Sequence, residues 1–188
     1  MNVKIRALGR NSSWIQAVRL GMLIALGLLI PRLGLPQPIT GPLVNALLIL
    51  AAEMMGVGPA MFVGMVTPLS ALLNGVLPLP LMVMVPFIAL GNMTLMGLYG
   101  ALHTRSRWLA LGLAAAAKFA CLYAAVEWMI ARPLTVAIGT APQAVTIPAA
   151  LAQMMQWPQL ATALVGGAIA FAILDGARRL TSSAKSQG

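Results

Sequence analysis

Apolar residues run through this chain in long blocks, broken by proline, glycine and short polar clusters. The first block covers roughly Trp14 to Ile30 and stops at Pro31. The stretch Pro31-Arg-Leu-Gly-Leu-Pro-Gln-Pro-Ile-Thr40 holds three prolines and a glycine and is expected to be a loop. A second helix is expected from Gly41-Pro42, with proline in its first turn, to about Met55. Gly56-Val-Gly-Pro59 reads as a tight turn before a third helix over Ala60 to Val76, and Leu77-Pro-Leu-Pro80 ends that block. A fourth helix is expected over Leu81 to Leu102, with Pro86 and Gly91 as bending points, and His103 to Arg107 form a polar turn. The fifth runs from Trp108 to Ile130. Ala131 to Gln156, with Pro133, Pro142 and Pro148, is too broken to span a membrane, although Ala149 to Met155 fits a short interfacial helix. The sixth covers Trp157 to Leu174, and a polar tail begins at Asp175.

Composition decides what these blocks are for. Of 188 residues, 60% are hydrophobic and 8% charged, where a soluble domain has about 45–50% and about 25%. So few charged groups cannot cover a water-facing surface, and so much apolar content is incompatible with disorder. Six spans of about 20 residues each take about 120 positions. The expected fold class is therefore an all-α membrane protein, a compact bundle of six transmembrane helices. It forms one domain over residues 1–180, followed by a polar tail over 181–188.

Twelve Lys and Arg against three acids give a net charge of +9. Their placement reads as orientation in a membrane, with no nucleic-acid partner, because the bases cluster at block ends and do not interleave with aromatic residues. With six spans, one side carries nine bases: Lys4, Arg6, Arg10, Arg19, Arg105, Arg107, Arg178, Arg179 and Lys185. The other carries only Arg32 and Arg132. Nine against two places both termini in the cytoplasm, in a multi-pass protein of the cell membrane. The basic head before the first block resembles a signal peptide, but the run lacks a small-residue cleavage site and is read as a retained helix.

Polar groups inside such blocks are costly and mark either helix packing or a ligand. Lys118 follows Arg107 by 11 residues, about 16 Å along a helix, which puts it near mid-depth. It reads either as a cation facing an anionic substrate or as a lysine reaching for an interface. Glu127 lies nine residues further on, on the opposite face at about 100° per residue, so the two are not an intrahelical pair. With Tyr123 and Trp128 it forms either a substrate contact near the outer mouth or part of an aromatic belt. Asn45, Asn74 and Asn92 stand within or at the outer ends of the second, third and fourth helices. They read either as substrate contacts or as interhelical hydrogen bonds. Glu53 and Asp175, near cytoplasmic helix ends, are expected to be solvated or paired with arginines.

Catalytic and metal motifs are lacking in the sequence. His103 has no serine partner at its depth, and no zinc, magnesium or phosphate-cradling motif occurs. No enzyme activity and no cofactor are expected, and any ATP hydrolysis must come from another chain. On the first helix Ala17, Gly21 and Ala25 recur every four residues. Such a narrow small-residue face admits close approach of another helix, in this chain or in a partner.

Together these features resemble the substrate-binding S component of energy-coupling factor (ECF) transporters. The stretches that carry the resemblance are Thr40-Gly-Pro-Leu-Val-Asn-Ala-Leu-Leu-Ile-Leu-Ala-Ala-Glu53, Gly64-Met-Val-Thr-Pro-Leu-Ser-Ala-Leu-Leu-Asn74 and Pro86-Phe-Ile-Ala-Leu-Gly-Asn92. With the first helix they lie within about the first 130 residues. The resemblance implies capture of a vitamin or other small cofactor precursor outside the cell, then toppling of the whole bundle to release it inside. It implies two kinds of partner, a transmembrane T component and two cytoplasmic ATPase subunits. It also implies docking through an Ala-x-x-x-Ala motif, whose place is taken here by Gly21-x-x-x-Ala25 with Ala17 one turn earlier. The pocket would lie in the outer half, closed by the loop after the first helix with Arg32, Gln37 and Thr40. The nickel and cobalt branch has a histidine after the initiator methionine; Asn2 stands there instead, which disfavours metal uptake. The alternative is a non-transport membrane scaffold or assembly protein, whose polar groups serve only to join helices.

Overall fold

The computed structural model describes residues 2–75, 77–132, 134–138 and 141–186; the side chains of 2–12, 134, 136–138, 141–143, 181 and 184–186 lie outside the description. The chain order is α1 (Asn2–Arg32), α2 (Gln37–Met55), α3 (Val57–Leu73), α4 (Leu79–Leu102), α5 (Arg107–Ala131), β1 (Leu134–Ile138), β2 (Ala141–Val145), α6 (Ala149–Met154) and α7 (Trp157–Ser186). Six long helices match the six expected blocks. Five stretches, Ser13–Arg32, Gln37–Met55, Leu79–Leu102, Arg107–Ala131 and Ala149–Leu180, are long and apolar enough to cross a membrane. The 17-residue α3 is apolar but shorter.

Proline starts helices here more often than it stops them. Pro36 caps α2 and Pro38 sits in its first turn; Pro78 caps α4 and Pro80 sits in its first turn. The two caps have nearly the same backbone, φ −63° and ψ 152° against φ −63° and ψ 153°. First-turn N–H groups have no intrahelical partner, so a proline there loses nothing. The loop expected over 31–40 is accordingly corrected to Leu33–Pro36. Pro31 and Arg32 close α1, while Gln37 and Thr40 already belong to α2. The turn expected over 56–59 shrinks to Gly56, whose φ of +92° a side chain would strain.

Two further expectations need correction, and a third lies outside the described residues. α7 continues through Asp175 to Ser186, so the polar tail is helical as far as it is described; Gln187 and Gly188 lie outside the described residues. α1 starts at Asn2, ahead of Trp14, and the side chains of Lys4, Arg6, Arg10 and Lys185 lie outside the description. The expected end of the third helix at Val76 also lies outside the described residues, and α3 is described to Leu73. The expected all-α class fits, with one small two-stranded hairpin added to the helices. β1 and β2 pair antiparallel, from Leu134 opposite Val145 to Ile138 opposite Ala141. Five residues on each strand with two between them have hairpin spacing, and the prolines obscured it.

The helices close a ring in the order α1, α3, α4, α5, α7, α2, with α2 also leaning on α3 and α4. Close approach depends on glycine. A Cβ on Gly166 of α7 would stand 2.5 Å from the Pro42 carbonyl oxygen and 2.7 Å from the Asn45 Cβ. α2 and α7 therefore meet nearly backbone to backbone. Two apolar cores result. The larger gathers Leu48, Ile49, Leu95, Tyr99, Ala114 and Phe171; the smaller gathers Met84, Leu122, Val126, Met129 and Met155. On α4 and α5 the polar residues Asn92 and Lys118 fall between them.

Candidate functional site

Lys118 is the centre of the site. It is buried, 3% exposed, and its Nζ donates to Asn45 Oδ1 and Asn92 Oδ1, each at 2.8 Å. The two amides are themselves held. Asn45 Nδ2 donates to the Gly41 carbonyl and Asn92 Nδ2 to the Gly64 carbonyl, both at 2.8 Å. Each amide thus has its nitrogen fixed on backbone and its oxygen turned to the ammonium. Gly64 makes this possible, because a Cβ there would stand 3.1 Å from the Asn92 Cβ. Four helices meet in the arrangement: Asn45 on α2, Gly64 on α3, Asn92 on α4 and Lys118 on α5.

A cavity of about 360 Å³ adjoins this centre. Asn45, Asn92 and Lys118 line its inner part, together with Thr67. Val44, Pro68, Ala71, Val85 and Ile88 form apolar walls. Gln37, Thr40 and the turn residues Gly34 and Leu35 line it from the end of the bundle where α1 passes into α2. Thr40 Oγ1 donates to the Leu35 carbonyl at 2.8 Å, tying that turn to α2. Met154, Met155 and Gln159 close the α6–α7 side.

An ammonium has three donors. Two are taken by amide oxygens, and among the described residues Lys118 has no third hydrogen-bond partner and no ion pair. All three acids of the chain are engaged elsewhere. Tyr99 Oη donates to Glu53 Oε1 at 2.5 Å, and Arg178 reaches Glu53 Oε2 at 3.7 Å. Arg107 holds Asp175 through two bonds, at 2.8 and 2.6 Å, and lies 4.8 Å from the centre of the Phe171 ring. Gln156 Nε2 donates to Glu127 Oε1 at 3.0 Å.

Of the residues singled out from sequence, Asn45, Asn92, Lys118, Gln37 and Thr40 are brought to one cavity, the last two from α2 and not from a loop. The others are not. Asn74 caps α3 and accepts from Arg32 Nε at 2.8 Å, so these two join α1 to α3 away from the cavity lining. Tyr123 is exposed with its ring against Phe119, and Glu127 is exposed beside Gln156. Both stand further along α5 than Lys118, and neither lines this cavity. Ala17, Gly21 and Ala25 are exposed, and among the described residues no other helix comes within 4 Å of a Cβ placed on Gly21. Sequence reasoning missed Thr67 and Gln159. Both are buried polar residues within apolar helices, the same signal that marked the asparagines.

No family model matches this chain, and no characterised protein and no solved structure matches it.

Proposed function

We propose that this chain is the substrate-specificity component of an ECF-type importer. It would sit in the cell membrane as a multi-pass protein with both termini cytoplasmic, and bind a vitamin or other small cofactor precursor from outside. Toppling on a transmembrane T component, driven by two cytoplasmic ATPase subunits, would then deliver the substrate. The observation that carries this reading is the cavity next to Lys118, with one ammonium donor left over and walls from every long helix. The outward small face Ala17, Gly21 and Ala25 supports it further, since the chain's own packing leaves that face open. A substrate gate at this end is supported by Thr40, Gly34 and Leu35 lining the cavity and by the bond from Thr40 to the Leu35 carbonyl.

The competing reading is a membrane scaffold or assembly protein, favoured by the way Lys118 joins α2, α4 and α5. Two measurements separate them. Purified wild-type protein should release a defined small molecule on denaturation, identified by mass spectrometry. Replacing Gly21 and Ala25 with leucine should abolish co-purification with a T component and ATPases while leaving thermal unfolding unchanged. A scaffold would release nothing, and a doubly substituted chain that still co-purified with the T component would remove the docking face.

A further inference from the structure

Lys118 faces the cavity with no carboxylate of its own. The chain has three acids, and Glu53, Glu127 and Asp175 are held by Tyr99, Gln156 and Arg107 respectively, all away from the cavity. Its two protein partners are neutral amides, each pinned by a backbone carbonyl so that it cannot turn a donor toward Lys118 without losing that bond. A counter-charge close by stabilises an ammonium buried this way. Among the described residues none is present, and the open place for one beside Lys118 is the cavity.

Resting on the reading of this cavity as the substrate site, we propose that the substrate is a compact monocarboxylate with an apolar body. One carboxylate oxygen accepts the remaining Nζ proton of Lys118, between Asn45 and Asn92. A phosphate does not suit the site. Phosphate recognition draws on several donors at once, from a helix N-terminus or arginine forks. No arginine lines this cavity, and the backbone beside Lys118, Asn92 and Asn45 is helix interior, its N–H groups already committed to the helix. A zwitterion does not suit it either, because no carboxylate lines the cavity to receive a ligand cation. The walls of Val44, Pro68, Ala71, Val85 and Ile88 match an apolar body. Gln37 and Thr40 leave room for one neutral polar group at the far end. The volume of about 360 Å³ is at the small end of the roughly 300–1,000 Å³ of ligand pockets, which selects a small molecule over a nucleotide-sized one.

The test uses the full-length protein in detergent. Thermal stabilisation is measured with acids and their neutral counterparts on one skeleton, 4-aminobenzoate with its amide 4-aminobenzamide and pantothenate with its alcohol pantothenol, beside inorganic phosphate. Small molecules extracted from the purified protein are sorted by charge with mass spectrometry. The expected result is a bound or extracted carboxylate whose neutral counterpart binds at least tenfold more weakly. Lys118→Met should lower its affinity at least tenfold. Asn45→Asp keeps the ammonium but supplies an internal counter-charge, and should lower affinity by a similar factor; it decides the matter if Lys118→Met does not fold. Phosphate or a neutral counterpart binding as tightly as the acid overturns the monocarboxylate assignment, and so does unchanged affinity in both variants. Either leaves the importer reading standing. If no small molecule is bound or extracted, the monocarboxylate falls. If the protein also fails to co-purify with a T component and ATPases, the importer reading falls with it.

Discussion

At one end of the bundle Arg107 grips Asp175 with two hydrogen bonds and Tyr99 donates to Glu53, while Arg178 lies within reach of both acids. Midway along, Lys118 meets two amides and no acid. Both clusters join several helices, and both hold polar groups in a mostly apolar molecule. They differ in what they leave over. The end cluster pairs each acid with a base and packs Arg107 against Phe171, so it acts as a staple across α2, α4, α5 and α7. The central cluster has one cation, no anion and a cavity beside it. A charge that is complete within the fold contributes to stability; a charge left incomplete beside open space costs stability until something binds. On the proposed reading, that difference separates a structural use of charge from a functional one in this chain.

The strongest way to break the contrast is to disturb the central cluster from outside. Gly166→Leu would drive a side chain into the Pro42 carbonyl and the Asn45 Cβ. Neither can move without shifting α2, so a loss of more than about 3 kcal/mol is expected, seen as failure to purify or a large drop in unfolding temperature. Asn92→Leu comes next. It removes one acceptor from Lys118 and the donor to the Gly64 carbonyl, and should cost about 2–4 kcal/mol. If the cost comes from an orphaned charge, Asn92→Leu combined with Lys118→Met should recover most of it. A double-mutant cycle by thermal unfolding in detergent checks this; simple additivity would mean the cluster is only packing.

At the stapled end the effects should be smaller. Tyr99→Phe removes a single buried donor to Glu53 and should cost about 1–2 kcal/mol, with no change in ligand binding. Asp175→Asn breaks a pair whose side chains are 31% and 37% exposed. It should lower the unfolding temperature least of these variants, and less still in high salt. A large ligand-affinity loss in either variant would show that the two clusters are coupled and the contrast is false.

Legibility in the sequence followed a physical divide between position along a helix and direction around it. Lys118 could be placed in depth by counting from Arg107, because the rise per residue is constant. Asn45 and Asn92 stood out as amides inside apolar blocks. Tyr123 and Glu127 have comparable depth credentials, yet they point away from the cavity. The half-turn between Lys118 and Glu127 was already visible in their spacing, and it separates them more decisively than depth relates them. Asn74 and Arg32 shared an end of the bundle with the cavity but found each other. The Pro-x-Pro pairs at Pro36 and Pro78 read as loop and act as helix starts, since a helix needs no N–H in its first turn. The hairpin over Leu134–Val145 was hidden for the opposite reason, with Pro142 inside it and Pro133 and Pro148 beside it taken as evidence against any regular element.

By itself the sequence determined that this is a helical, strongly apolar chain with six long blocks, charges confined to block ends and one cation at mid-depth. Those properties are sums along the chain, and local physics decides them. Only the tertiary structure decided that Asn45 and Asn92 share Lys118, that Glu53, Glu127 and Asp175 are all engaged elsewhere, and that a cavity opens beside this buried ammonium. Those properties depend on which faces of distant helices meet, through contacts such as Gly166 on Asn45 and Gly64 beneath Asn92, and no spacing along one helix carries that information.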